Sequence, residues 1–222
     1  LYNDLNTISD CVAAIIAKQP YLEEALSQKI INYAALAENL NPLVSKMLKK
    51  PVKDGAILMA LRRYASPTDT QKSLRLKEVL NGLGDITVRS KLIVFTFQNS
   101  GTLIQNHAQI LSTIATNQQV FYTFTRGIHE STLISSASEE AHIRDHFKTE
   151  NILNFQGNLS AISIRLPQGN TAVAGLYYQI FKRLAWKGIS LQEVISTTNE
   201  FIILVEDELV DRAFSAIKKL QS

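Results

Sequence analysis

One order of local patterns is written twice along this chain, and that repetition restricts its fold more than any single motif does. From Ile86, alternation of apolar and polar residues predicts a strand over 86–98, "NSG" a turn, and the next stretch a helix over 101–116. Two short strands, "QQVFYTFT" and "ESTLISS", follow, joined by Arg126 to His129, and a helix starts at Glu139. At Leu159 the order begins again. "LSAISIRL" sets Ile162, Ile164 and Leu166 on one face of a strand against Ala161, Ser163 and Arg165 on the other. The helix after it carries Val173, Leu176, Tyr177, Ile180, Phe181 and Leu184 on one stripe and ends at Gly188. Strands over 190–197 and 201–206 come next. Asp207 is then expected to cap a last helix whose apolar face is Leu209, Val210, Ala213, Phe214, Ile217 and Leu220, with Glu208 early and Lys218 and Lys219 late, as the helix dipole favours.

Two βαββα units of about 60 to 70 residues predict an α+β fold in which each unit is a ferredoxin-like sheet with helices on one face. Such a sheet is finished by a last edge strand borrowed from a neighbour. Its open edges invite pairing within the chain or between chains, so a homodimer through the sheets is expected.

The residues before Ile86 read differently. Leu5, Ile8, Val12, Ile15 and Ile16 recur at helical spacing until Pro20 interrupts, and Leu22, Ala25 and Leu26 repeat the spacing. "NYAALAENLNPLVSKMLKK" offers a third and a fourth helix, with Asn39, Leu40 and Asn41 as a tight connection and Pro42 in the first turn of the fourth. Ile57, Leu58 and Leu61 mark another helix ending at Arg62 and Arg63, a turn is expected over 66–70, and a helix over 71–80. "NGLGD" closes the region; its glycines precede a strand instead of following one, which excludes a nucleotide loop. The expected boundaries are a helical, helix-turn-helix-like or winged-helix-like part over 1–83 and two units over 84–157 and 158–222.

Charge is uneven along the chain. Residues 45–91 hold eleven Lys/Arg against four Asp/Glu, a net +7, whereas residues 1–44 carry −3 and residues 92–222 carry −1. Lys46, Lys49, Lys50, Lys53, Arg62 and Arg63 are therefore the candidates for contact with phosphates of DNA. Between Pro42 and Lys50 there is no Arg, Asn or Gln to read base edges. Cys11 is the one cysteine, which fits a reducing compartment and excludes a disulfide framework. No apolar run reaches membrane-spanning length; the sequence begins at Leu1 without an initiator Met, so the lack of a legible signal peptide decides nothing, and the cytoplasmic expectation rests on the lone cysteine.

No catalytic constellation emerges. His142 and His146 stand four apart on one helix but lack a third ligand; His107 falls with Leu103, Leu111 and Ile114 on an apolar stripe, where a core histidine is expected; His129 has no nucleophile nearby. Trp186, Tyr177 and Tyr178 are assigned to packing. No metal and no cofactor is expected.

The segment from Ala161 to Leu220 resembles the ACT regulatory domain, in the form that follows the kinase domain of aspartokinases. The resemblance rests on "AVAGLYYQIFKRLAWKGISLQEVIST" and "FIILVEDELVDRAFSAI", with Gly175, Ile180, Phe181, Leu184, Gly188, Ile189, Ile195, Ser196 and Thr197 at the characteristic positions. Residues 86–150 are similar to a more diverged copy, and the whole chain to predicted regulators of amino-acid metabolism that place a helical segment before paired ACT units. The resemblance implies an amino acid held at a domain interface by the first strand-to-helix loop and the second strand. Carried over to this sequence, the effector-binding residues are Gln168, Gly169, Asn170, Thr171, Ala172, Thr197, Thr198 and Asn199, with Asn99, Ser100, Gly101 and Thr102 in the first copy. The loop "PQGNTAVAG" lacks the family's Pro-Gly step, and Thr198 and Asn199 stand where the aspartokinase pattern has Ser-Glu. No kinase segment is present. Three readings stand: an amino-acid-responsive regulator without enzymatic activity, a DNA-binding regulator using residues 32–63, and a regulatory subunit docking on a biosynthetic enzyme such as aspartokinase.

Overall fold

The computed structural model describes residues 6–64, 70–114, 117 and 119–221. Leu1–Ser73 and Leu74–Ser222 form two compact units.

The first unit holds α1 (Ile8–Ile16), α2 (Pro20–Ser27), α3 (Tyr33–Leu48) and α4 (Asp54–Arg63). Thr7 starts α1 through a reciprocal cap with Asp10, and the Asn32 side chain accepts the Ala34 and Ala35 N–H groups at the start of α3. The apolar stripes meet in one core that includes Cys11, Ile16, Leu40, Val44, Ile57 and Leu61. The expected break at Asn39–Asn41 does not occur: α3 runs through Pro42 as one helix. Ala37, Leu40 and Val44 stay in phase on the buried side, whereas Glu38, Asn39 and Pro42 face solvent, where water can satisfy the carbonyl that Pro42 leaves without a donor. The chain turns instead after Leu48, with Lys49 in the left-handed region at φ 54°. Asn41 and Ser45 on α3 hold that turn. Asn41 Nδ2 donates to the Val52 carbonyl at 2.9 Å and to the Asp54 carboxylate, and Ser45 Oγ accepts from Val52 N at 3.2 Å. The turn expected at 66–70 falls almost entirely on residues 65–69, outside the described residues.

The second unit is built on one antiparallel sheet. After α5 (Thr70–Asn81) come β1 (Ile86–Gln98), α6 (Leu103–Ile114), β2 (Tyr122–Arg126), β3 (Glu130–Ser136), α7 (Glu140–His146), β4 (Ile152–Arg165), α8 (Leu176–Trp186), β5 (Glu193–Ser196), β6 (Glu200–Glu206) and α9 (Val210–Lys218). The strand order is β2-β3-β1-β4-β6-β5. Its centre is the pair of long strands. Leu92 to Gln98 of β1 pair with β3 on one side, and Leu92 to Phe97 pair with Leu159 to Ile152 of β4 on the other; Ile86 to Arg89 pair with Ile164 to Ala161. Leu159 to Arg165 of β4 pair in turn with β6. Each long strand thus serves both halves of the sheet. At the changeover each carries one extra residue, Lys91 on β1 (φ 60°) and Asn158 on β4 (φ 55°), where the register shifts.

Alternate residues of these strands go to opposite faces. Ile93, Phe95, Phe97 and Leu133 pack under α6 and α7, and Ile162, Ile164, Phe201, Ile203 and Val205 under α8 and α9. On the other face Leu92, Val94, Ile134, Leu159, Ala161, Ile202 and Leu204 make a separate buried cluster. The sheet curls around it until Glu193 on β5 reaches the Thr132 side chain on β3; burial is the main cause that raises the Glu193 pKa, with Glu130 adding to it.

Four local expectations shift. β4 begins at Ile152, seven residues before the predicted start, because Ile152 and Asn154 to Gln156 are paired with β1. Asp207 is no side-chain cap: it opens a short 3-10 turn and its carboxylate accepts from Ser160 Oγ. Val173 precedes α8, which starts after Gly175 at φ 95°. In α6 it is Leu103, Ile110 and Ile114 that are buried, and Leu111 is exposed.

Two outcomes follow from this packing. Lys91 is exposed in a backbone region that side chains with a Cβ avoid, so Lys91→Gly is expected to raise unfolding stability by about 0.5–1 kcal/mol and Lys91→Val to lower it, read from denaturant midpoints. His107 stacks on Phe124 at 3.8 Å, its Nε2 has no hydrogen-bond partner, and desolvation holds its pKa below the ordinary value. A lowered folded-state pKa gives a contribution that is full above the unfolded value and lost as pH falls below it. Stability is therefore expected to fall below about pH 6.5 more in the wild type than in His107→Phe; parallel pH profiles would refute this.

Candidate functional site

The two strand-to-helix loops of the sheet are anchored alike and filled differently. After β1, Asn99 N donates to the His129 carbonyl at 3.0 Å; after β4, Leu166 N donates to the Asn199 carbonyl at 2.8 Å. Each bond ties a first loop to the hairpin turn between the next two strands. In the first loop Asn99 adds a side-chain tie, Nδ2 to the Gly127 carbonyl at 2.9 Å, and accepts from Ser131 Oγ at 2.6 Å.

The first loop also holds a carboxylate. Ser100 Oγ donates to Glu150 Oε2 at 2.5 Å, and Thr102 Oγ1 and Asn106 Nδ2 donate to Oε1 at 2.6 and 2.7 Å. Ser100 Oγ meanwhile accepts from Leu103 N at 3.0 Å and so caps α6. Glu150 is only 8% exposed, and the three donors are what make its burial tolerable. Gly101 is exposed beside them.

The second loop holds none. Asn170, 3% exposed, uses both amide hydrogens on backbone, the Pro167 carbonyl at 2.9 Å and the Thr198 carbonyl at 2.8 Å. It opens a 3-10 turn after Gly169, which lies at φ 77°. Asn199 Nδ2 leans on the Leu166 and Pro167 carbonyls at 3.4 and 3.5 Å. Gln168, Thr171, Ala172, Thr197 and Thr198 are exposed around this junction. The position that matches Glu150 is Leu220: Glu150 N donates to the Phe147 carbonyl and Leu220 N to the Ile217 carbonyl, at the ends of corresponding helices.

Beside the second loop the curled face opens into a hollow of about 460 Å³ lined by Asp85, Thr87, Ser163, Arg165, Thr197, Asn199 and Glu200. Of the sequence-derived candidates, the structure brings Thr197 and Asn199 to this hollow, commits Ser100 and Thr102 to Glu150, and commits Asn170 to the loop itself. The sequence-derived candidates include neither Glu150 nor Arg165. Glu150 stands about 50 positions from its partners. Arg165 was legible as part of the polar face of its strand.

The cationic candidates lie in the first unit and are all exposed. Lys46 is in the last turn of α3, Lys49 is its C-cap, Lys50 and Lys53 are on the connection, and Arg62 and Arg63 end α4, where positive charge suits the dipole. In the second unit His146 Nε2 meets the Asn106 carbonyl at 3.0 Å, and His142 lies 3.7 Å from Glu139. Among the described residues no group of three His, Cys, Asp or Glu is placed to hold a metal ion. Among them, too, no helix is long and apolar enough to cross a membrane.

No protein-family model matches the chain, and no curated protein matches it. Solved structures do. The chain is similar to the regulatory subunit of aspartate kinase from Thermus thermophilus in its ligand-free form, with TM-score 0.52 at 8% identity, over 62% of this chain and 97% of that one. It is similar to the aspartate kinase of Clostridium acetobutylicum, described as an allosteric enzyme, with TM-score 0.51 at 15% identity, over 62% of this chain and 34% of that one. The chain thus spans about a third of that kinase. At such identities the likeness establishes the fold, a mixed helix-and-sheet arrangement of the kind found in aspartokinase regulatory domains, which is what the ACT resemblance implied.

Removing the buried carboxylate strands three donors. Glu150→Ala is expected to cost about 2–4 kcal/mol of unfolding stability, with Glu150→Gln intermediate. Millimolar formate should restore part of the Ala variant's loss and leave the wild type unchanged; an Ala variant as stable as the wild type would show that the cluster contributes nothing.

Proposed function

We propose that this chain is an amino-acid-responsive regulatory protein without catalytic activity, built from two tandem ferredoxin-like ACT-type units behind a helical part. One observation carries the reading: the loop that ACT-type units use for an effector holds a carboxylate in the first copy, that of Glu150, by three convergent side-chain donors. The loop chemistry of this sheet is therefore suited to the group that every amino acid presents. In the second copy the matching residue is Leu220, buried under α8 and α9, and a separate polar hollow bounded by Thr197 and Asn199 opens on the other face of the sheet, with room for an external carboxylate. The likeness to a regulatory subunit of aspartate kinase supports a role in sensing.

Regulation requires that the effector favour one arrangement of the protein over another. In this reading two copies pair through the open strands β2 and β5, and the helical unit passes the state to a partner. Its six exposed cations support a second reading of that partner as anionic, DNA phosphate or an acidic face of a biosynthetic enzyme.

A thermal-shift panel of the twenty amino acids tests the proposal, because a ligand at about 100 times its dissociation constant adds about 2.7 kcal/mol to stability. At least one is expected to raise the midpoint in a saturable way. A flat panel would remove the proposal. For the anionic partner, duplex retardation that weakens with salt and with Lys46, Lys49 and Lys50 changed to Ala is the expected result, and indifference to all three substitutions would exclude DNA.

A further inference from the structure

The two strand-to-helix loops of the sheet are braced from different places. In the first copy the brace is Glu150, which comes from the end of its own half and takes side-chain donors from the loop and from α6. In the second copy the matching residue, Leu220, is apolar and buried, and the loop over 167–175 is bracketed instead by α5, a helix that precedes the whole sheet.

The residues of α5 from Leu74 onward belong to the second unit. Leu76, Val79 and Leu80 recur at helical spacing and pack on the core under α8 and α9, and Leu83 just beyond them is a buried member of that core. Two contacts set the helix across the ends of the loop. Leu76 Cδ2 lies 3.4 Å from the position a Cβ on Gly175 would take, and Pro167 Cβ lies 3.7 Å from the position a Cβ on Gly82 would take. Gly175, at φ 95°, is the N-cap of α8, so the residue on which Leu76 rests sets how that helix starts. The Pro167 carbonyl accepts from Asn170 N at 3.3 Å and from Asn170 Nδ2 at 2.9 Å, so the residue beside Gly82 is the one onto which Asn170 folds the loop.

The attachment of α5 is asymmetric. Past its end the chain is fixed by hydrogen bonds: Gln221 Nε2 donates to the Leu83 and Gly84 carbonyls, each at 2.9 Å, Gly84 N donates to the Arg165 carbonyl at 2.8 Å, and Arg165 N to the Asp85 carbonyl at 3.0 Å. Among the described residues, none from Leu74 to Asn81 has a hydrogen bond or an ion pair to another element, and the apolar contacts of three partly buried side chains hold this part of the helix down. An element pinned at one end and resting on few apolar contacts opens and closes as a unit, at a lower free energy than the sheet beside it.

We propose that α5 is a strap whose docking is coupled to the conformation of the 167–175 loop: what orders the loop holds α5 down, and what releases α5 loosens the loop. Gly169 at φ 77° and Gly175 at φ 95° give the loop its shape and the freedom to change it. Coupling between two such elements is reciprocal, with one factor in both directions. Because α5 is the last helix before the sheet and its first residues belong to the other unit, the state of the loop reaches the chain segment that joins the two units. Amino-acid binding is no premise of this coupling, and a flat ligand panel would leave it standing.

Hydrogen exchange of the full chain, followed amide by amide, tests the strap from both sides. The loop reports through Asn170, Ala172 and Val173, whose N–H groups are bonded within it, and α5 through its last turn and Gly82, bonded to the Glu78 carbonyl. Leu76→Ala is expected to speed exchange at both places by about tenfold. Asn170→Ala removes the ties to the Pro167 and Thr198 carbonyls and is expected to speed exchange in α5 as well as in the loop, by about fivefold or more. Leu74→Ala, on the exposed side of the helix, should change neither, and the amides of the β1–β4 pair should stay slow in all three variants. Faster exchange confined to the element that carries the substitution would overturn the coupling. So would a rise spread equally over the β1–β4 pair, because the whole unit would then have loosened.

Discussion

The antiparallel pairing of β1 with β4 is the interaction on which the second unit depends. Neither strand belongs to one half of the sheet. Ile86 to Arg89 complete the strands that pack under α8 and α9, and Ile152 to Gln156 complete those under α6 and α7. The bulges at Lys91 and Asn158 sit where each strand passes from one task to the other. An inserted residue on each side bends and twists the pair locally, and the sheet bends enough for its second face to bury an apolar cluster of its own. The hollow beside Arg165 is lined by Thr87 of β1 and Asp85 just before it, together with Ser163 and Arg165 of β4.

The two halves of this sheet show the same loop solved in two chemistries. Both first loops are fastened to the neighbouring hairpin by a backbone hydrogen bond at the same place. In the first half the remaining polar groups converge on Glu150 and are spent on it. In the second, Asn170 spends its amide on the loop and turn backbones, and the polar side chains nearby stay at the surface. The sheet in this way holds one loop rigid and leaves its counterpart open, since a buried charge with three donors fixes its neighbours whereas exposed threonines do not.

Much of this architecture was legible in the sequence because alternation reports burial on one face. β3 was expected over the residues it occupies, and α5, β1 and β6 were placed within one or two positions. The misses have physical causes. The strand was expected to start only at Leu159 because Asn154, Gln156 and Asn158 carry no apolar signal, yet Asn154 to Gln156 pair with β1 and Asn158 is the extra residue of a bulge in the same strand. Pro42 reads as a helix start, but a proline on the solvent side of a helix whose buried side stays in phase does not end it. Of the candidate site, the loop and turn residues came from a resemblance, and nothing local marked Glu150, whose meaning depends on partners brought to it by folding. Arg165 belongs to the same class: its neighbours Asp85 and Glu200 are chosen by strand register, and register is a property of the sheet.

The exchange of strand ends between the halves also bears on divisibility. A chain cut between the two halves of the sheet would leave the edges of β1 and β4 unpaired and each core open at one side. The pairing of β1 with β4 joins residues more than 50 positions apart in sequence, which slows the closing of such a sheet. Whatever steadies one end of β1 therefore acts on a strand that both halves of the sheet share.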